Sequence, residues 1–253
     1  MKVVVCVKEV VADRQPQFVF QKTGQDIDPS YAAFETNEAD LYAIEEGLRL
    51  CEKSGGGEVI VVTFGDARTV AMLQKCVAMG ATRAMRVWSP AVSTHDPLLI
   101  ARALAVAVKA ENPDVVLCGV QSSDAAQQST GPALAAALGL PCVAAVVKVD
   151  IENGQAAVHR ELDGGLVEVV EVNLPVLLTV QTGLNVPRSG SFKQLMLAKK
   201  TPIAVVDPGT PKSRSTIKRM FLAPVSGERA AMIPGSPSEI ASRIIELVRG
   251  DVP

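Results

Sequence analysis

Short apolar runs alternate with longer segments of helical periodicity through the first half of this chain, and few folds accept that rhythm. KVVVCVK, starting at Lys2, and EVIVVTFG, ending at Gly65, are apolar at consecutive positions. That pattern predicts strands covered on both faces rather than strands with one wet side. Between them, Asn37 to Lys53 places Leu41, Ile44, Leu48 and Cys51 on one helical face, and a triple glycine from Gly55 ends the segment. The unit then repeats: a helix over Ala67 to Met79, a shorter strand in ATRAMRVW, a helix over Pro97 to Glu111, the strand PDVVLCG and a helix over Thr130 to Leu138. Repeated strand–helix units of this length predict an α/β fold, a doubly wound and mainly parallel sheet whose ligands bind at the carboxyl ends of the strands.

The character changes after Leu140. VAAVVKVDIE, GQAAVHREL, GLVEVVEVNL and PVLLTVQTG read as strands, separated in part by the pairs Asn153-Gly154 and Gly164-Gly165. Those are hairpin turn pairs, so this part is expected to be an antiparallel extension on the edge of the parallel sheet. From Asn185 onward Pro187, Pro202, Pro208, Pro211, Pro224 and Pro234 forbid a long helix until a terminal one, Pro237 to Val248. The expected organisation is a nucleotide-binding α/β domain with its extension over residues 1–184, followed over 185–253 by a loop and an extended C-terminal arm that packs on another subunit.

The segment GVQSSDAAQQSTG, Gly119 to Gly131, joins a buried strand to a helix through small polar residues. The Thr130 hydroxyl is placed to cap that helix, Pro132 sits in its first turn, and Gly139 followed by Pro141 closes it. Unpaired backbone N–H groups at the positive end of a helix dipole form a phosphate site, and the ligand this implies is a nucleotide. Other classes are disfavoured by composition. A formal net charge of -2 and an aromatic content of 4% do not suit a nucleic-acid binder or a protein of anionic membranes. The start MKVVVCVKEV is too short and too charged for a signal peptide, and no apolar run approaches a membrane span, so a cytoplasmic or similarly reducing location is expected.

The five cysteines, Cys6, Cys51, Cys76, Cys118 and Cys142, contain no CxxC pair and read as buried small hydrophobes, not as a metal site or a dithiol. There are two histidines: His95 reads as a turn residue before a helix and His159 as a structural hydrogen-bonding residue in a strand. With no GxxxxGK[ST] loop and no carboxylate cluster for a metal, no residue is assigned a catalytic role. A stand-alone adenine-nucleotide enzyme or sensor is the reading of another class.

Seven pieces in order, VVVCVKEV, TNEADLYAIEEGLRL, KCVAMGATRAMRVW, GVQSSDAAQQSTG, HRELDGGL, LPVLLTVQTGLNVPR and LAKKTPI, make the chain resemble the beta, or small, subunit of electron-transfer flavoproteins over nearly its whole length. The resemblance implies a heterodimer whose alpha subunit holds most of a redox-active FAD while this chain binds a second nucleotide, usually AMP. It implies a carrier without chemistry of its own, taking electrons from flavin-dependent dehydrogenases to an acceptor oxidoreductase. Carried over residue by residue, the nucleotide site comprises Cys6, then Asn37, Glu38, Ala39 and Asp40, then Phe64. It continues through the loop Gly119, Val120, Gln121, Ser122, Ser123, Asp124, Ala125, Ala126, Gln127, Gln128, Ser129 and Thr130. Electron-bifurcating members, with a second FAD in place of AMP, tend to an AIDGDTAQVG loop and an NPxD helix entrance where this chain has SSDAAQQSTG and NEAD, so the AMP type is expected. LNVPRSGSFKQLMLAKK resembles the family's recognition loop, with Phe192 at the position of the anchor that enters partner dehydrogenases.

Overall fold

The computed structural model describes residues 1–12, 18–90, 92, 95–209, 213, 215–222 and 232–250; Pro211 and Pro224 lie outside them. The chain divides into two compact units, Met1–Met220 and Phe221–Pro253. The first opens with β1 (Lys2–Cys6) and a small antiparallel pair, β2 (Glu9–Val11) and β3 (Phe34–Thr36). It continues with α1 (Glu38–Lys53), β4 (Glu58–Phe64), α2 (Val70–Met79), β5 (Arg83–Val87), α3 (Pro97–Glu111), β6 (Val115–Gly119) and α4 (Thr130–Leu138). Then follow β7 (Cys142–Glu152), β8 (Gln155–Glu161), β9 (Val167–Asn173), β10 (Val176–Val180), α5 (Phe192–Ala198) and β11 (Ala204–Val206). The second unit holds α6 (Pro237–Arg249).

Among the described residues, nine strands form one sheet in the order β11-β5-β4-β1-β6-β10-β7-β8-β9. From β11 to β7 every pairing is parallel, and only β8 and β9 add antiparallel pairings. Side chains alternate across each strand, so one run serves two layers. Val3 and Val5 join α1 and α2 on one face through Ile44, Leu48 and Leu73. Val4 and Cys6 join α3 and α4 on the other through Leu104, Val108 and Leu134. The fold is therefore doubly wound. Val3, Val4, Val5, Val116, Leu117, Leu177 and Leu178 have no exposed surface at all. Burying each such side chain stabilises the fold by about 1.5–3 kcal/mol, which concentrates stability in the three central strands.

The position of β10 corrects the expectation drawn from turn pairs. PVLLTVQTG is not part of the antiparallel extension. Its core, β10, lies between β6 and β7 and pairs parallel to both, for instance Leu178 with Leu117 and with Val143. A run buried at all five positions is what a central parallel strand requires. The antiparallel extension is confined to β7, β8 and β9. Two elements of the proline-rich region carry no long-range periodicity, the short α5 and the three-residue β11, which pairs parallel with β5.

Candidate functional site

The chain builds β4 and β5 on one side of β1, then crosses to place β6 on the other. Helices on the two faces diverge at such a reversal, leaving a crevice outside the carboxyl ends of the two flanking strands. Cys6 and Gly119 end those strands, and Cys6 is the register partner of Cys118. The helix entrances α1 and α4 face this edge, which places Asn37 to Asp40 and the loop Gly119 to Thr130 near Cys6.

Close approach at the crevice depends on two glycines. A Cβ on Gly119 would stand 2.5 Å from Asp40 Oδ1 and 2.7 Å from Ala39 Cβ, so any side chain there would push α1 away from β6. A Cβ on Gly131 would meet Thr179 Cγ2 at 2.4 Å and Cys118 Sγ at 3.0 Å, so glycine lets the first turn of α4 lie directly on β6 and β10.

Polar side chains then fix the loop. Asn37 is the N-cap residue of α1 yet makes no side-chain capping bond. Its Nδ2 donates to the Gln121 carbonyl at 2.9 Å, and its Oδ1 accepts from the Ser123 amide at 3.2 Å. Asp40, 4% exposed, uses its two carboxylate oxygens on neighbouring strand ends, accepting from the Lys8 amide and the Gly119 amide, both at 2.8 Å. Lys8 Nζ donates to Ser122 Oγ at 3.0 Å and pairs with Asp124 Oδ1 at 2.5 Å, which offsets the one acidic charge of the loop. Lys8 was not among the residues expected at the site, although it closes the first strand-like run, KVVVCVK. Within the loop Gln128 Nε2 donates to Gln121 Oε1 at 2.9 Å, and the Ala126 amide donates to the Ser122 carbonyl at 2.8 Å.

The entrance of α4 differs from the expected one. Thr130 is the first helical residue, not the cap; Ser129 occupies the cap position and makes no side-chain capping bond. The first-turn amides have no intrahelical acceptor, so this entrance offers donors and a positive dipole end that no side chain consumes. Ala126 and Gln128 hold left-handed backbones, φ 49° and 51°, a conformation that costs a non-glycine residue about 1–2 kcal/mol and persists where surrounding bonds enforce it. Ser122 to Gln128 are otherwise largely exposed, with the loop rim turned to solvent.

Burial sets the electrostatics of the floor. It pushes the Asp40 carboxyl up to about 6, against the opposing pull of the Lys8 and Gly119 amides and the Asn37 side chain. Burial and then the Asp40 charge push the Cys6 thiol up to about 12. Burial also raises Cys118 well above an ordinary thiol. Cys6, Cys51, Cys76 and Cys118 are buried free thiols, whereas Cys142 is exposed, which corrects its assignment to the core. Cys142 opens β7 just beyond the turn at Gly139.

The remaining expected residues divide. Ala39 is buried against Gly119 and Glu38 is exposed. Phe64 ends β4, next to β1, and its partly buried ring packs against the core and on Trp88 with centroids 5.7 Å apart. Phe192 is elsewhere. It begins α5, 79% exposed, and the preceding Gly190 rests on the Ala78 carbonyl near the end of α2. That end lies toward the start of β5, on the opposite edge of the sheet from the crevice. No group of His, Cys, Asp or Glu suited to a metal ion occurs among the described residues, and no helix among them is long and apolar enough to cross a membrane.

Residues 27–211 match the electron transfer flavoprotein domain. The chain is similar to an electron transfer flavoprotein subunit beta of Methylophilus methylotrophus, at 38% identity over 98% of both chains. It is also similar to one of Syntrophomonas wolfei subsp. wolfei, at 32% identity over 100% of this chain and 97% of the relative. A third relative is the caffeyl-CoA reductase-Etf complex subunit CarD of Acetobacterium woodii, at 31% identity over 98% of both chains. Full-length agreement with proteins of this name, on a doubly wound sheet with its loop at the strand reversal, establishes that the chain belongs to the electron transfer flavoprotein family as a beta subunit.

Proposed function

We propose that this beta subunit works as the non-catalytic half of a heterodimeric electron carrier, holding AMP as a structural nucleotide while a larger alpha subunit holds most of the FAD. The observation that carries the reading is the entrance of α4, an uncapped helix start reached by a loop that Asn37 and Lys8 tether from outside. The two glycine-dependent contacts bring α1 and α4 close onto the strand ends, which supports a nucleotide held between their entrances. The amides and hydroxyls from Gln127 to Thr130 would hold the phosphate, and backbone groups near Cys6 and Phe64 the adenine edge. Asp40 supports this arrangement from behind, by fixing the ends of β1 and β6.

When bound in the alpha subunit, FAD supplies the redox chemistry, accepting electrons from a flavin-dependent dehydrogenase and passing them to an acceptor oxidoreductase. This chain's residues bind, orient and dock. Phe192, exposed on a short helix between small and polar neighbours, is the side chain proposed to enter the dehydrogenase. In the second unit, Ile240, Ile244 and Leu247 recur at helical spacing on α6, and none is buried within that unit, which supports a C-terminal arm that covers this face on the larger subunit. A cytoplasmic location fits the buried free thiols.

Cofactor analysis of the heterodimer, purified after co-expression of both subunits, tests the assignment. One FAD and one AMP per heterodimer is the expected content. Two FAD would replace the structural nucleotide by a second flavin and move the protein to the bifurcating type, and a heterodimer free of AMP and of a second flavin would remove the nucleotide site altogether.

A further inference from the structure

The segment that leads to Phe192 is fastened to α1 by charges that neither the nucleotide site nor the docking side chain uses. Ten residues separate the end of β10 from Ser191, and α5 itself spans only seven residues, too few to be stable alone. Its position must come from outside. Asn185 supplies one hook, its Nδ2 donating to the Tyr42 carbonyl at 3.0 Å and to Glu46 Oε2 at 2.9 Å. Arg188 supplies the other. Its backbone amide and Nε both donate to Glu45 Oε2, at 3.1 and 2.8 Å, and Nη2 donates to Glu45 Oε1 at 3.0 Å. The outer edge of the same guanidinium meets Glu52, with Nη1 to Oε1 at 2.6 Å and Nη2 to Oε2 at 3.2 Å.

This arrangement exceeds what an incidental surface ion pair provides. The Glu45 side chain is 4% exposed and is shared with Arg49 Nε at 2.9 Å, so its charge is held where water screens it little. Burial alone would raise the Glu45 carboxyl, yet the bonds from Arg188 and Arg49 bring it below its usual range. The guanidinium is oriented by two carboxylates two helical turns apart along α1 and by its own backbone amide. A lysine, a single point charge, cannot reproduce that fork. Two residues later Gly190 lies against the Ala78 carbonyl with no room for a side chain, so the chain enters α5 from a fixed point.

We propose that Arg188 is a positioning residue for docking: by reading Glu45 and Glu52 on α1 it sets where α5 begins and therefore where Phe192 stands. The inference rests on the docking role of Phe192. Arg188 need not touch the partner protein.

The test uses the heterodimer with its alpha subunit and, as probe, a purified flavin-dependent dehydrogenase that reduces the wild-type complex. Arg188→Lys keeps the charge beside Glu45 and loses the fork. It is expected to raise the KM for the dehydrogenase about fivefold, with a smaller change in the rate at saturation, and to speed amide exchange in α5 about tenfold while the amides of β1, β4 and β6 keep their protection. Phe192→Ala is expected to raise KM further, and the double variant to match Phe192→Ala alone, because a residue acting through Phe192 has nothing left to position. Additive KM effects, or exchange that quickens throughout the fold, would overturn the positioning role. Should Arg188→Lys fail to assemble, Glu52→Gln removes only the exposed end of the fork, and about twofold faster exchange confined to α5 is the supporting result; unchanged exchange overturns it. A Phe192→Ala complex with wild-type KM would instead remove the docking reading on which the proposal stands.

Discussion

The helix starts of this protein fall into two kinds. At α5 and α6 a serine and the residue three positions on form complete capping boxes, Ser191 with Gln194 and Ser236 with Glu239. At α3 the buried Asp96 accepts from the Leu98 and Leu99 amides; α2 follows a short turn in which Asp66 accepts from the Arg68 amide, and its own cap residue, Thr69, makes no side-chain capping bond. At α1 and α4, the two entrances on the crevice, Asn37 and Ser129 make no capping bond. The side chain that would close α1 instead reaches the loop of α4, and the entrance of α4 is left open. At α3, α5 and α6 local side chains cap the helix start; at the crevice the proposed nucleotide would meet donors that no side chain takes.

The largest break of this contrast is expected from Gly119→Ala. The added Cβ cannot avoid both Asp40 and Ala39, so α1 must move off β6; a loss of roughly 2–4 kcal/mol of stability is expected in denaturant melts, with loss of the proposed nucleotide. A variant as stable as wild type and still loaded would show that the approach of the two elements is not needed.

Asp40→Asn is next. An amide side chain presents one acceptor where the carboxylate presents two, leaving a strand-end amide opposed by a donor; a loss of about 1–3 kcal/mol is expected near pH 7. The pH dependence sharpens the point. Because burial raises the folded-state value to about 6, above the unfolded value of 3.8, the protonated form is favoured in the fold. Stability linked to this group is fully present below the unfolded value and is lost as pH rises through about 6, amounting to on the order of 3 kcal/mol. Wild-type stability measured from pH 4 to 7 should carry this component, and the Asn variant should lack it. The same slope in both proteins would assign the titration elsewhere.

Thr130→Asp places an anion at the open entrance. In the nucleotide-free chain it should be neutral or stabilise α4 by about 0.3–1 kcal/mol through the helix dipole, yet it should weaken nucleotide binding by repelling the phosphate. Opposite signs in melting temperature and nucleotide retention are expected, and tighter retention would contradict an anion site. The smallest change is Ser236→Ala, which removes a closed cap for about 1 kcal/mol of local helix stability, read by amide exchange in α6, with nucleotide content unaltered.

Much of this architecture was legible because local and global signals agreed. Pro97–Glu111 is helical over the span the sequence indicates, with proline in its first turn, and the consecutive apolar runs became the buried strands. The failure at β10 has a physical reason: hairpin turn pairs describe neighbours in sequence, while β10 pairs with β6, which precedes it by some sixty residues. No local pattern encodes that partner. The roles of Asn37, Asp40 and Arg188 were hidden in the same way, since an N-cap asparagine, a first-turn aspartate and a loop arginine look ordinary until distant chain segments arrive beside them. At Thr130 the composition of the loop placed the helix entrance correctly, but not which of two adjacent hydroxyl residues would be its cap.

The thiols of the floor have a practical consequence. Cys6 and Cys118 sit side by side on β1 and β6, protonated and shielded, with Cys51 and Cys76 equally enclosed and Cys142 alone open to solvent. An alkylating reagent applied to the isolated chain should therefore label one cysteine while the sheet is intact and five once it opens, each with its own rate. The sequence carries a built-in gauge of whether its central strands are closed, readable by mass alone.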